Sequence, residues 1–270
     1  MDTINQRIGE MLARVRATRP LIHHITNLVV MNDTANVTLH VGGLPVMAHD
    51  VEEVAEMVTH AGALVLNVGT LSPDWVESML VAGRQANELD IPIVLDPVGA
   101  GATQLRTMTN LKLLRSLHIG VVRGNGGEIG ALSGAGGEMR GVESIAAPEN
   151  PLTAARTLAQ TYRTVVALTG ARDIITDGER GFIVSNGHIW LTTLTGTGCM
   201  ATTMVAAFAA VERDYLLAAA GGLAMFGLAA ELAAEKAHGP ASFKTALFDQ
   251  IYNLTPEQVA AGARIAELEW

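Results

Sequence analysis

Four times in the middle of the chain, an apolar run of four or five residues meets a polar or glycine-rich stop and then a segment with helical spacing. Ala63-Leu64-Val65-Leu66 ends at Asn67-Val68-Gly69, and Pro92-Ile93-Val94-Leu95 ends at Asp96-Pro97-Val98-Gly99. Ile119-Gly120-Val121-Val122 ends at Arg123-Gly124-Asn125, and Thr164-Val165-Val166-Ala167-Leu168 ends at Thr169-Gly170. Runs that are apolar without alternation are buried on both faces, and the helical patterns between them supply the crossovers that parallel strands need. The pattern predicts an α/β fold with a central, mostly parallel sheet flanked by helices in three layers, α/β/α. The carboxyl ends of such strands share one edge, where ligands bind. Asp96, Arg123 and Thr169 therefore converge on one crevice, although their separation along the chain gives no hint of a relationship.

Composition narrows the class. Apolar residues make up 49% of the 270 and aromatics only 4%, with 28 glycines, which suits helices packed closely on a sheet in one domain spanning 1–270. A formal net charge of −9 argues against nucleic acid or an anionic membrane as partner. Cys199 is the single cysteine, so no intramolecular disulfide forms, and no cationic-then-apolar leader precedes the helix-like Ile4 to Val15. Both features point to the cytoplasm. The longest uncharged run, Tyr215 to Ala230, falls short of a membrane span and reads as a buried helix, with a subunit interface as a further place to bury it.

Outside the four repeats the reading is local. Pro20 to Asn27 reads as a short strand ending in polar residues, followed by a helix from Leu28 to His40. Asn27, at the junction, is either an N-cap or a ligand residue. His23 and His24 point to opposite faces of a strand, which favours structural roles over a metal pair. Gly42 to Ala48 is a glycine turn into an extended segment, in which Met47 either fills core or lines an apolar pocket. A helix from Val51 to His60 follows. Gly134 to Pro151 reads as a loop. The dipeptides Asp177-Gly178 and Asn186-Gly187 predict a hairpin meander of Asp173–Thr176, Gly181–Val184 and His188–Leu191. Helices then run from Cys199 to Ala237 with a break near Asp214, from Ala241 to Ile251 and from Pro256, before an alternating tail, Arg264 to Trp270.

The meander delivers the chain to Thr195-Gly196-Thr197-Gly198-Cys199, directly before a long apolar helix. Two glycines let backbone N–H groups turn toward one point, and the helix adds the partial positive charge of its N-terminus, which makes an anion hole. Thr195 and Thr197 add hydroxyl donors, and the helix dipole would favour a Cys199 thiolate; a thiolate or thiol in that spot can take a proton. A P-loop is excluded, because Lys112, Lys236 and Lys244 all lie outside glycine-rich turns; Gly196-x-Gly198-x-x-Ala201 satisfies the dinucleotide fingerprint, but helix follows helix after the loop, which disfavours that fold. Arg123 is placed to clamp a phosphate, and Asp96 with Glu128 to hold Mg²⁺ directly or through water. An Arg123–Glu128 ion pair, with Glu128 as a helix-start acid, remains the plainer alternative. An anion hole, two carboxylates, an arginine and a threonine on one sheet edge describe phosphoryl transfer.

In order along the chain, His24-Ile25-Thr26-Asn27, Pro45-Val46-Met47, Leu95-Asp96-Pro97-Val98-Gly99, Arg123-Gly124-Asn125 with Glu128, Val165 through Gly170, and Thr195-Gly196-Thr197-Gly198-Cys199-Met200-Ala201-Thr202 resemble the motifs of the hydroxyethylthiazole kinases. These are thiamine-salvage enzymes of the ribokinase-like superfamily. The resemblance implies a ribokinase-like fold and transfer of the ATP γ-phosphoryl group to the alcohol of 4-methyl-5-(2-hydroxyethyl)thiazole with Mg²⁺, in a homotrimer with active sites at subunit interfaces. It also implies roles: Arg123 and Thr169 contact ATP; Met47, Asn27 and Gly196 lie near the thiazole; Asp96 and Glu128 lie near metal and phosphates. Cys199 stands where relatives in the superfamily use an aspartate base. The alternatives are a related kinase for hydroxymethylpyrimidine or another small alcohol, a cysteine acyltransferase built on Cys199, and a non-catalytic thiazole or nucleotide binder.

Overall fold

The computed structural model describes residues 3–134, 138–140, 143–146 and 149–269. Helices and strands alternate through the first half: α1 (Ile4–Thr18), β1 (Leu21–Ile25), α2 (Met31–Val41), β2 (Leu44–Val46), α3 (Val54–Val58), β3 (Ala63–Asn67), α4 (Pro73–Glu88), β4 (Ile93–Asp96), α5 (Gln104–Ser116) and β5 (Val121–Asn125). Next come α6 (Gly126–Ser133), the strands β6 (Glu138–Arg140) and β7 (Glu143–Ala146), α7 (Pro151–Tyr162), β8 (Val165–Thr169), β9 (Asp173–Thr176) and β10 (Gly181–Val184). A 3-10 helix (Ile189–Thr193) leads to α8 (Thr197–Ala209), α9 (Tyr215–Ala234), α10 (Pro240–Asn253), α11 (Pro256–Gly262) and β11 (Ile265–Glu267).

Nine strands form one sheet in the order β2-β1-β3-β4-β5-β8-β9-β10-β11. The pairs from β2 to β8 are parallel and those from β8 to β11 antiparallel. Within β3, Ala63 and Val65 face one core, shared with α1, α2 and α8 to α11, while Leu64 and Leu66 face a second core under α3 to α7. Burial on both faces is why these strands are apolar without alternation. The chain leaves β1 toward β2 on one side and returns to β3 on the other. Such a reversal opens a crevice at the strands' carboxyl ends.

The three-layer reading holds, and several local expectations do not. His188–Leu191 is not a strand. The edge of β10 is taken by β11, with Phe182 opposite Glu267, and the side chain of Asn186 ties that return by donating to Gly262 O at 3.1 Å and accepting from Arg264 N at 2.7 Å. Displaced from the sheet, Ile189–Thr193 winds into a 3-10 helix, with Thr192 and Thr193 hydroxyls donating to Ile189 O and Trp190 O. The alternating tail thus supplies the meander's third strand; Trp270 lies outside the described residues.

The segment read as a loop, Gly134 to Pro151, contains the antiparallel pair β6–β7, although 135–137, 141–142 and 147–148 lie outside the described residues. The helix expected from Leu28 starts at Met31, and that expected over Val51–His60 shrinks to Val54–Val58, flanked by turns. The apolar run from Tyr215 became α9, long and apolar enough to cross a membrane, yet buried inside the chain between the sheet, α8 and α10. A Cβ on Gly222 would lie 2.9 Å from the Met204 backbone, so the close α8–α9 approach, rather than a subunit interface, accounts for this helix.

Candidate active site

The carboxyl edge of the sheet gathers polar side chains that the packing beneath holds rigid. Asn27 follows β1, Asn67 ends β3, Asp96 ends β4, Arg123 lies in β5 and Thr169 ends β8. Asn27, Asn67 and Asp96 are buried. Asn27 and Asn67 stand at the reversal point itself.

Asn67 is the hub. Its Oδ1 accepts from Asn27 Nδ2 at 2.8 Å and from Gly69 N at 2.9 Å, while its Nδ2 donates to Asp96 Oδ2 at 2.9 Å and to Cys199 Sγ at 3.2 Å. Asp96 Oδ2 also accepts from the Thr202 hydroxyl at 2.9 Å, one turn along α8 from Cys199. Asn27 is not the N-cap of α2, since Val30 holds that position. Its Oδ1 instead accepts from Val29 N at 3.0 Å in a local turn, which aims the amide at Asn67 and at Cys199 Sγ, 3.6 Å away.

The expectation of a Cys199 thiolate fails. Burial, and then the charge of Asp96, push the thiol far above its ordinary value. The residue as a whole keeps some exposure, but its sulfur is ringed by Asn27, Asn67 and Asp96, and that enclosure outweighs the helix dipole. Two amides donate to the sulfur, and the Asp96 carboxyl acts on it electrostatically. Cys199 is thus a neutral thiol that keeps its hydrogen beside a carboxyl group.

Gly196 adopts the left-handed conformation (φ 87°), and the first hydrogen bond of α8 runs from Met200 N to Gly196 O. The N–H groups of Thr197, Gly198 and Cys199 therefore precede the helical ladder, as an anion hole needs. The Thr197 hydroxyl is engaged elsewhere, donating from Oγ1 to Leu191 O at 2.9 Å and tying the loop to the 3-10 helix, while Thr195 is exposed at the mouth of the loop. Beneath the first turn lies Arg123. A Cβ on Gly198 would fall 2.7 Å from Arg123 Nη1, so glycine lets the guanidinium sit where it does, and a larger residue would have to displace it. Arg123 Nη2 donates to Thr169 Oγ1 at 2.7 Å, while its Nε is buried without a partner among the described residues.

No Arg123–Glu128 ion pair forms among the described residues. Glu128 Oε2 accepts from Asn125 N at 2.8 Å, in a capping box whose other half is Glu128 N to Asn125 Oδ1 at 3.0 Å, and Oε1 accepts from Gly99 N at 2.8 Å. The helix-start acid of the plainer reading is therefore real. Burial, then the nearby Asp96, raise Glu128 to about 7, and burial raises Asp96 as well, against the pull of Arg123. Asp173, which accepts from Gly170 N at 3.0 Å, is raised to about 6 by burial. Two buried acids and the partly buried Asp173 around one arginine leave the edge short of positive charge. His23 and His24 are buried and structural, with Nε2 atoms at Ala48 O (2.8 Å) and Thr38 Oγ1 (3.1 Å).

A family model described as the Hydroxyethylthiazole kinase family matches residues 12–257. The chain belongs to the hydroxyethylthiazole kinase family. It is 88% identical over 267 residues to the hydroxyethylthiazole kinase of Roseiflexus sp. (strain RS-1), covering 99% of each chain. The solved hydroxyethylthiazole kinase structure from Pyrococcus horikoshii OT3 superposes with a TM-score of 0.89 at 45% identity, covering 97% of this chain and 99% of that one. A ribokinase-like superfamily protein from Enterococcus faecalis V583, 13% identical with a TM-score of 0.66 over 92% of this chain and 95% of that one, shares the fold. The hydroxyethylthiazole kinase fold is thus ribokinase-like, as the motifs implied.

Three contributors to this polar cluster were given no role in the reading of the sequence. Asn67 was visible as a strand-end stop, in the same position as Asp96, but nothing local marked it as the hub. Thr202 gave a signal only through its spacing, since it lies three residues after Cys199 on the face that looks at Asp96. Arg106 gave none. From α5 it donates to Val98 O at 2.9 Å, Val68 O at 3.2 Å and Gly69 O at 2.7 Å, stitching together the loops after β3 and β4.

Proposed function

We propose that this chain transfers the γ-phosphoryl group of ATP to the primary alcohol of 4-methyl-5-(2-hydroxyethyl)thiazole. Family membership supports the reaction. The observation that carries the site assignment is the placement of Arg123 directly under the open first turn of α8, beside the Asp96–Cys199–Asn67–Asn27 network. Arg123, with a buried Nε free to donate, and Thr169 then hold nucleotide phosphates, and the N–H groups at Gly196 to Cys199 stabilise charge on the moving phosphoryl group. Met47, Asn27 and Gly196 form the acceptor side. Cys199 orients the acceptor hydroxyl as a neutral thiol, with Asp96 behind it.

Asp96 and Glu128 supply the all-oxygen donor chemistry that Mg²⁺ prefers, and a divalent cation would offset the excess of buried carboxylates. Every Glu128 oxygen already accepts a backbone N–H, so the fit is to a hydrated ion shared with phosphate oxygens. When bound, the ion supplies charge neutralisation at the phosphates.

Leu28 and Val29, 67% and 65% exposed beside Asn27, support completion of the acceptor side by a second copy, in a homotrimer with sites at subunit interfaces. A single unpaired cysteine fits a reducing, cytoplasmic setting. The deciding experiment is incubation with ATP, Mg²⁺ and hydroxyethylthiazole beside hydroxymethylpyrimidine and ribose, read by mass spectrometry. Thiazole phosphate is expected; phosphorylation of another acceptor alone refutes the substrate assignment. Sedimentation at micromolar concentration tests the trimer, and a fully active monomer refutes the shared site.

A further inference from the structure

The ladder between β1 and β2 is short: Leu21, Ile22 and His23 face Leu44, Pro45 and Val46, and there it stops. Pro45 has no N–H to contribute. Beyond Val46, hydrogen bonds between the two segments pass through imidazoles. His23 Nε2 meets Ala48 O at 2.8 Å. His49 bridges the other way: its Nδ1 meets Met47 O at 2.9 Å, and its Nε2 meets Thr26 N at 3.3 Å. A carbonyl can only accept and a backbone N–H can only donate, so the tautomer is determined: Nδ1 carries the hydrogen and Nε2 is bare. Stacking on Trp75, at 4.6 Å between centroids and 23° between planes, fixes the ring out of plane from the start of α4.

We infer that His49 is a positioning residue for the acceptor site, a neutral clamp that sets the Met47 segment against Thr26-Asn27. The inference rests on the assignment of Met47 and Asn27 to the acceptor side. An imidazolium would set a second N–H against that of Thr26, so the clamp works only in the neutral form. Burial keeps the ring below its ordinary value, against the backbone groups of Met47 and Thr26 and the charge of Glu53 ahead of α3, which pull the other way; His23 and His24 face it from β1.

Two measurements test it. Long-range ¹⁵N–¹H spectra of the intact protein at pH 7 should show His49 as the Nδ1–H tautomer; an Nε2–H or imidazolium form overturns the inference whatever the enzyme phosphorylates. His49→Phe keeps a ring to stack on Trp75 but loses both hydrogen bonds. It should raise KM for the thiazole by roughly tenfold, the equivalent of a lost bond or two, with KM for ATP unchanged. His49→Gln, whose amide oxygen can still accept from Thr26 N–H, should recover part of that loss. An unchanged thiazole KM in a folded His49→Phe protein, or an equal loss on the ATP side, overturns the inference, whereas failure of the wild-type protein to phosphorylate any acceptor overturns only the function, because the tautomer still reports on the clamp.

Discussion

Gly198→Ala separates the chemistry of the site from the stability of the fold. Position 198 lies in the first turn of α8 with ordinary helical backbone, where alanine is intrinsically favoured over glycine by up to about 1 kcal/mol. The added Cβ, however, would sit 2.7 Å from Arg123 Nη1 and 3.4 Å from Cζ, so the guanidinium must retreat by several tenths of an ångström. That movement strains or breaks the 2.7 Å bond from Arg123 Nη2 to Thr169 Oγ1 and misdirects the Nε left for a phosphate. A hydrogen bond to a charged group is worth roughly 1.5 to 3 kcal/mol, so kcat/KM for ATP should fall by about tenfold to a hundredfold. The assay is steady-state phosphorylation at saturating thiazole beside a thermal melt. The expected result is a melting temperature at or above wild type with impaired use of ATP. Wild-type kcat/KM in a folded variant would show that Arg123 is not where the phosphates bind.

Arg123→Ala should act on the same side more severely, lowering kcat/KM for ATP by at least about tenfold while binding of the thiazole alone, measured by calorimetry, stays near wild type. Thr202→Val keeps the shape but strips a buried donor from Asp96, and should lower stability by about 1 to 3 kcal/mol, read as a fall in the denaturation midpoint; an unchanged midpoint removes Thr202 from the network. Cys199→Ser retains a donor toward Asp96 and should keep thiazole binding, with turnover reduced by less than about tenfold; a far larger loss would show that the sulfur itself takes the proton. Glu128 gives a pH dependence. Its folded value, about 7, lies above the ordinary 4.5, so the folded state prefers the protonated form, and stability is lost as pH rises from 4.5 through 7, by a limit on the order of 3 kcal/mol. Glu128→Gln should flatten that slope in melts across the window. In the wild type, Mg²⁺ should bind more weakly below about pH 7 and offset the loss above it, and a pH-independent Mg²⁺ affinity would remove Glu128 from the metal site.

The sequence by itself determined the parallel half of the sheet, because strands buried on both faces must be apolar throughout and must end in something polar. Those ends made Asp96, Arg123 and Thr169 legible as neighbours. The glycines of the loop before α8 were legible for the same kind of reason, since few other residues permit a left-handed turn into an open helix start. Tertiary structure decided whatever depended on competition between distant segments. His188–Leu191 has the local signals of a strand, but Ile265–Glu267 occupies the edge of β10, and nothing within 70 residues of β10 discloses that rival. Cys199 has the local signals of a thiolate at a helix N-terminus, but Asp96 and two amides, delivered by β4, β3 and the turn after β1, enclose its sulfur and raise its proton affinity. Asn67 became a hub only through its four partners, three of them brought from other elements. Dipoles, turns and periodicity are properties of short stretches and can be read from them, whereas desolvation and edge occupancy are set by what the rest of the chain brings alongside.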